Sequence, residues 1–216
     1  MQNAVVAENP HHSHRYCTMD LFTSASTLAP IPIRDGELAF LPQLPLPWPN
    51  AVVLARLIAE TAWREETVVV YGKRHLQPRL SAWHGEKAYR YSGLSLAPLP
   101  FTPLLDTIRA AAEAATGRRY NSVLLNYYRD GRDSMGMHSD DEPELGPQPA
   151  IASVSFGATR PFILRHKRTQ ETLKLPLTDG SLLFMAGPMQ ANWMHGINKT
   201  AKPLGPRINL TFRNIV

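Results

Sequence analysis

The sequence predicts an α+β fold in which helices pack outside a β-barrel or β-sandwich core. Three observations carry this. From residue 120 onward, seven short strand-like runs follow one another with turn signals between them, the texture of a closed or two-layered β core. Upstream, two stretches repeat their apolar residues at helical spacing. Ahead of both lies a proline-rich segment with no such period.

Residues 1–48 are rich in Pro, His and Ser. Pro30-Ile31-Pro32 and the run from Leu41 to Pro49 place prolines too densely for a long helix or a central strand, because each proline lacks an amide donor. The segment reads as an arm or extended wrap, disordered near residue 1. His11, His12 and His14 within it read as a solvated histidine cluster. The first helix is expected to begin at Asn50, a good N-cap after Pro49. Val53, Leu54, Leu57, Ile58 and Thr61 then share one face, and Arg56, Glu60 and Arg64 the other.

Thr67–Tyr71 is a β-branched run followed by Gly72 and a basic cluster of Lys73, Arg74, His75 and Arg79. With the short run Ala88–Ser92 before Gly93, it predicts a hairpin-like excursion over 67–93. A second helix is predicted over Pro103–Ala115, capped by Thr102, with Pro103 in its first turn and Gly117 as its stop. Leu104, Leu105, Ile108 and Ala112 make its buried stripe. The strand runs are Ser122–Tyr128, Ile151–Phe156, Pro161–His166, Glu171–Leu175, Ser181–Met185, Asn192–Gly196 and Arg207–Arg213. Residues 49–216 thus read as a single domain with its β core at 120–216.

The chain has 216 residues, 44% of them hydrophobic, which suits one domain with a sizeable core. No apolar run approaches the ~20 residues that span a bilayer, so no membrane partner is expected. No secretory signal is visible, and the single cysteine, Cys17, makes no internal disulfide. A reducing cytoplasm is the simplest compartment, with nucleoid association if the source is bacterial. The net charge of +5 and pI near 9.5 favour a polyanionic partner.

The chemistry concentrates at His138-Ser139-Asp140. In an extended segment alternate side chains point the same way, so His138 and Asp140 face one point. His195, in Trp193-Met194-His195-Gly196, is the best distant partner. Two histidines and one carboxylate with open positions form the ligand set of non-haem iron(II) oxygenases. A His-x-Asp triplet alone is common in exposed loops; the final strand adds weight. There Arg207, Asn209, Thr211 and Arg213 share one face, and Ile208, Leu210 and Phe212 the other. Arginines lining a barrel interior need an anion, and a dicarboxylate supplies one that the guanidinium fork matches. Asn126 and Tyr128, two apart on a predicted strand, are placed to orient the same carboxylate.

Asn126-Tyr127-Tyr128-Arg129-Asp130-Gly131, His138-Ser139-Asp140-Asp141-Glu142, Ile151 to Gly157, His195 and Arg207-x-Asn209-x-Thr211-Phe212-Arg213 together resemble AlkB-type dioxygenases. The likeness runs over roughly residues 67–216 and is strongest to the branch of vertebrate DNA-repair homologues that act on duplexes. It implies a double-stranded β-helix, or jelly-roll, core with a nucleotide-recognition hairpin. It implies catalytic metal ligands at His138, Asp140 and His195 for Fe(II). It implies 2-oxoglutarate bound by Asn126, Tyr128 and Arg207, with Asn209 on the same strand face and Arg213 completing the carboxylate site.

The implied reaction is oxidative dealkylation of N-alkylated bases in DNA with O2 and 2-oxoglutarate, releasing succinate, CO2 and an aldehyde, a direct-reversal repair. Tyr89, Tyr91 and Glu142 match the damaged-base pocket. Tyr71, between Val70 and Gly72, matches a wedge that fills the gap left by a flipped base; the family carries phenylalanine there. Lys73, Arg74 and Arg79 beside the wedge, and the cluster Arg165, His166, Lys167 and Arg168, are then expected to contact phosphates. A monomer acting on alkylated DNA, with duplex favoured, is the resulting expectation. RNA or single-stranded DNA as substrate, a zinc hydrolase on the same triad, and a non-catalytic nucleic-acid-binding jelly-roll remain as alternatives.

Overall fold

The computed structural model describes residues 27–70, 73–86, 89–91, 94–96 and 98–216, with the backbone alone at 68–70, 73–75, 89–91 and 94–96. In chain order come Ala29–Pro30 (β1), Glu37–Leu41 (β2), Asn50–Glu60 (α1), Arg64–Val70 (β3), Lys73–Gly85 (β4), Tyr89–Tyr91 (β5) and Leu94–Leu96 (β6). Pro103–Thr116 (α2), Ser122–Tyr128 (β7), Met135–His138 (β8), Ile151–Gly157 (β9), Arg160–His166 (β10) and Thr172–Leu177 (β11) follow. Leu182–Ala186 (β12), Met189–Asn192 (α3), Trp193–Ile197 (β13) and Arg207–Arg213 (β14) complete the fold.

Eight strands form a major sheet in the order β1-β2-β12-β9-β14-β7-β4-β3, and four form a minor sheet, β11-β10-β13-β8. The pairing of these strands is antiparallel. The two sheets face each other as a jelly-roll. Ala152, Val154 and Phe156 of β9 and Ile208, Leu210 and Phe212 of β14 turn outward onto α1 and α2, where they meet Val53, Leu57, Leu104 and Ile108. The opposite face of the major sheet meets the minor sheet through Leu38, Phe40, Ile151, Leu183 and Met185 against Phe162, Leu164, Trp193 and Ile197. A strand alternates its side chains between two faces. So β14, buried at every position, gives one face to the hydrophobic core and its polar face to the space between the sheets.

The second helix begins and ends as its sequence predicts. Thr102 Oγ1 accepts from Leu105 N at 3.3 Å, Pro103 occupies the first turn, and Gly117 closes the helix at φ 65°, a conformation glycine adopts without a Cβ penalty. The first helix differs at its start. Pro49, not Asn50, is the cap residue, and no side chain caps the helix. Asn50 instead exchanges two hydrogen bonds with the Gln43 carboxamide, at 3.0 and 3.1 Å.

Two other expectations change. From residue 29 the segment read as an arm joins the major sheet, with β2 paired to β12 and Leu41 and Leu44 in the core. Its prolines flank β2 rather than interrupt it, and Pro30 sits in the terminal strand of the sheet, where a missing donor is tolerated. The expected hairpin over 67–93 divides among the described residues: Thr67–Val70 pair with the 13-residue β4, while Tyr89–Tyr91 of β5 pair with β6 in a separate ribbon. Pro78 and the inward-facing Gln77, Arg79 and Ser81, all buried, hid β4 from a hydrophobic-periodicity reading. The first four residues of β4 pair with β3 alone, Leu80 and Ser81 pair with both β3 and β7, and Ala82–Gly85 pair with β7.

Candidate functional site

The register of the minor sheet sets His195 of β13 directly opposite His138 of β8. Their rings lie 4.4 Å apart between centroids. Asp140, two residues beyond His138, turns into the same space. Its Oδ1 is 3.8 Å from His138 Nε2 and its Oδ2 is 3.6 Å from His195 Nε2. One ligand atom from each residue falls within 4.8 Å of the others, the one such metal-ligating group among the described residues.

The donor set fits a divalent transition metal. His138 Nδ1 lies 2.9 Å from the Gly136 carbonyl, so the neutral ring donates there and leaves Nε2 with a free lone pair. Burial, then the neighbouring His195, lowers the His138 pKa to about 4, which keeps the imidazole neutral and able to ligate. His195 Nδ1 is buried with no hydrogen-bond partner. Burial alone would raise the Asp140 pKa, but the charge of Arg213 and the adjacent imidazoles hold it well below the usual carboxylate range. Arg213 Nη2 donates to Asp140 Oδ1 at 2.8 Å. Arg213 therefore braces a metal ligand, and it also lines the cleft shared with Arg207, the place the sequence reading gave it.

A cleft opens beside the triad, lined among others by Asn126, Tyr128, Arg207 and Asn209. Arg207 is 1% exposed. Its Nη2 donates to Ser155 Oγ at 2.9 Å, and its guanidinium sits 5.0 Å over the Tyr128 ring. Nε and Nη1 have no hydrogen-bond partner. Burial lowers the Arg207 pKa to about 10. A buried guanidinium with two unbonded donors calls for an anion. Asn126 Oδ1 accepts from Arg79 Nε at 2.6 Å, which fixes the amide and leaves its NH2 as the free donor. Asn209 lines the cleft, yet its amide donates to Ser153 Oγ and the Val154 carbonyl, so its bonds hold β9 against β14.

The remaining expectations divide. Arg79 is buried and turned inward to Asn126, which removes it from the phosphate contacts expected of it. His166 is also buried: it bonds Asp35 through Nε2 and accepts backbone amides at Nδ1. Arg165, Lys167 and Arg168 are exposed. Glu142 is half-buried in the bend after Asp140. Lys73 and Arg74 open β4, and Tyr89 and Tyr91 fall in β5. Tyr71, His11, His12 and His14 lie outside the described residues.

Sequence reasoning missed Arg79 as the partner of Asn126. It missed Ser153 and Ser155, whose alternation inside a buried strand was a readable sign of a polar pocket face. It also missed Arg160, whose guanidinium ties the carbonyls of Asp130, Asp133 and Asn198 together, and Gln190, whose Oε1 accepts from Asp140 N at 3.0 Å.

Two imidazoles and a carboxylate at an open position, facing an anion-seeking guanidinium, define a non-haem iron type of centre. The chain belongs to the 2OG-Fe(II) oxygenase superfamily, whose family model matches residues 43–213. It is 42% identical over 173 residues to the alpha-ketoglutarate-dependent dioxygenase alkB homolog 3 of Homo sapiens, covering 76% of this chain and 60% of that protein. It is 46% identical over 159 residues to the DNA oxidative demethylase ALKBH2 of Homo sapiens, covering 69% and 61%. The chain thus spans about three fifths of the length of the curated relatives it matches. The solved structure of OsALKBH1 superposes with a TM-score of 0.59 at 15% identity, over 86% of this chain and 99% of that one, a likeness of fold.

Proposed function

We propose that this protein dealkylates N-alkylated bases in DNA, using Fe(II), O2 and 2-oxoglutarate and releasing succinate, CO2 and an aldehyde. The observation that carries this reading is Arg207. A hydrolase on the same triad has no use for a buried, half-bonded guanidinium beside the metal ligands, whereas a keto-diacid does. The two relatives named as an alpha-ketoglutarate-dependent dioxygenase and a DNA oxidative demethylase support the same chemistry and a nucleic-acid substrate.

His138, Asp140 and His195 would hold the ion, with Arg213 keeping Asp140 ionised. When bound, Fe(II) with O2 and 2-oxoglutarate supplies the oxidation of the N-alkyl carbon, after which the hydroxylated alkyl group leaves as an aldehyde. The chain's own work is binding and orientation. Arg207, braced by Ser155, grips a carboxylate through Nε and Nη1. Tyr128 packs beside it. Arg79 fixes Asn126 so that its amide NH2 faces the ligand. The apolar walls at Phe162, Met185 and Leu124 limit water around the reacting carbon.

The finer reading is a monomer acting on duplex DNA. To reach a base inside a duplex the enzyme must extrude it, and an inserted side chain offsets part of the unstacking cost. Tyr71, which follows β3 in the sequence, is assigned that role, with Lys73, Arg74, Arg165, Lys167 and Arg168 on phosphates and Tyr89, Tyr91 and Glu142 around the lesion. The test is release of the methyl group from matched duplex and single-stranded oligonucleotides carrying one N-methylated base, with Tyr71→Ala alongside. The variant is expected to lose activity on the duplex and retain it on the single strand. Equal loss on both removes the wedge; no succinate formed with either substrate, or with a methylated RNA, removes the reaction.

A further inference from the structure

Asp140 lies in the bend between β8 and the short 3-10 turn Pro143–Leu145. Its amide is bonded by a side chain: Gln190 Oε1 accepts from Asp140 N across fifty residues of sequence. Gln190 is 2% exposed, on α3, five residues ahead of His195, the β13 position that pairs with His138. Its carboxamide has one possible orientation, since an N–H must meet the oxygen; the nitrogen is left facing Met185 Sδ at 3.9 Å. Two more ties run in parallel. Ser139 Oγ donates to the Trp193 carbonyl at 2.9 Å. Lys167 Nζ donates to the Gln190 carbonyl at 2.9 Å and stands 3.6 Å from Asp141. Residues 139–141 are therefore fastened to 190–193, the segment that leads directly into His195.

We infer that Gln190 is the positioning residue of the metal centre, fixing the Asp140 backbone to the α3–β13 segment and so setting the spacing between the Asp140 carboxylate and His195. This rests on the reading of His138, Asp140 and His195 as metal ligands. Arg213 restrains the Asp140 carboxylate, and Gln190 restrains its main chain; together they hold the ligand from both ends. Groups that orient metal ligands change metal affinity when removed, by about 10- to 100-fold.

The test is titration of the whole protein with Co(II), a probe whose visible bands report coordination geometry, without 2-oxoglutarate or DNA. Gln190→Met keeps the shape and gives up the acceptor. It is expected to weaken Co(II) binding about 10- to 100-fold and to alter the visible bands, with the metal-free fold intact by circular dichroism. Gln190→Glu keeps an acceptor oxygen at the same reach and is expected to bind Co(II) at least as tightly as the parent. If Gln190→Met does not fold, Gln190→Asn, which keeps the amide and loses the reach, carries the same expectation. Co(II) binding by Gln190→Met with the parent's affinity and spectrum overturns the inference, as does Gln190→Glu binding as weakly as Gln190→Met. Failure of the parent to bind Co(II), or parental binding by His195→Ala, instead overturns the metal centre itself.

Discussion

Replacing Arg207 with methionine tests the carboxylate site through two opposed effects. Burial pulls the guanidinium from its ordinary 12.5 to about 10, a penalty on the charged form of about 3 kcal/mol. In the ligand-free protein this cost is offset in part by the bond to Ser155, worth about 1 kcal/mol, beside the neighbouring Tyr128 whose effect the lowered value already includes. Methionine fills similar volume and carries no charge, so the ligand-free variant should gain about 2 kcal/mol, or roughly 4–8 °C in Tm for a chain of this length. The dicarboxylate loses two charge-assisted hydrogen bonds of about 1.5–3 kcal/mol each, which weakens 2-oxoglutarate by roughly 100-fold or more. Scanning calorimetry of the ligand-free protein and anaerobic calorimetric titration of 2-oxoglutarate with Mn(II) present read the two effects separately. A variant that melts below the parent and binds 2-oxoglutarate within about threefold of it, a difference smaller than one hydrogen bond, would refute the assignment.

Arg79→Ala should weaken 2-oxoglutarate binding about tenfold through the freed Asn126 amide. It should leave the salt dependence of DNA binding unchanged, whereas Arg74→Ala should lower the slope of log affinity against log salt by about 0.9. Arg213→Met strands the buried Asp140 carboxylate and should cost about 3–5 kcal/mol in urea unfolding of the metal-free protein. Burial raises the Tyr120 phenol to about 12, so the folded state favours the neutral form. Its contribution is whole below pH 10 and is lost as pH rises from 10 toward 12, about 2–3 kcal/mol in all. Tyr120→Phe should flatten that alkaline loss in a pH series of melting temperatures, at the expense of the hydrogen bond to Thr116.

How much was legible depended on whether side chains advertise their surroundings. β7 and β14 have the bounds their sequences predict, Ser122–Tyr128 and Arg207–Arg213, because β14 alternates core residues with polar ones and β7 is a short apolar and aromatic run bounded by turn residues. His138 and Asp140 were readable because period two is built into extended backbone. β4 was not, since its inward face is Gln77, Arg79 and Ser81 and its partner is a polar pocket rather than oil. The sheet role of β2 was masked by prolines that stand beside it. Gln190 and Arg160 were invisible for another reason: each acts on main-chain atoms far away in sequence, and no local pattern records such a bond. Arg213 and Arg207 looked alike on one strand face and both line the cleft, and only the structure shows that Arg213 also bonds Asp140.

The metal ligands sit on or beside the minor sheet, at β8 and β13, whereas Arg207, Asn126 and Tyr128 belong to β14 and β7 of the major sheet. A keto-diacid held between the ion and the guanidinium would bridge the two layers. It would act as a second rivet through the sandwich beside the Arg213–Asp140 pair, so that loading the cosubstrate would also stiffen the vessel around it.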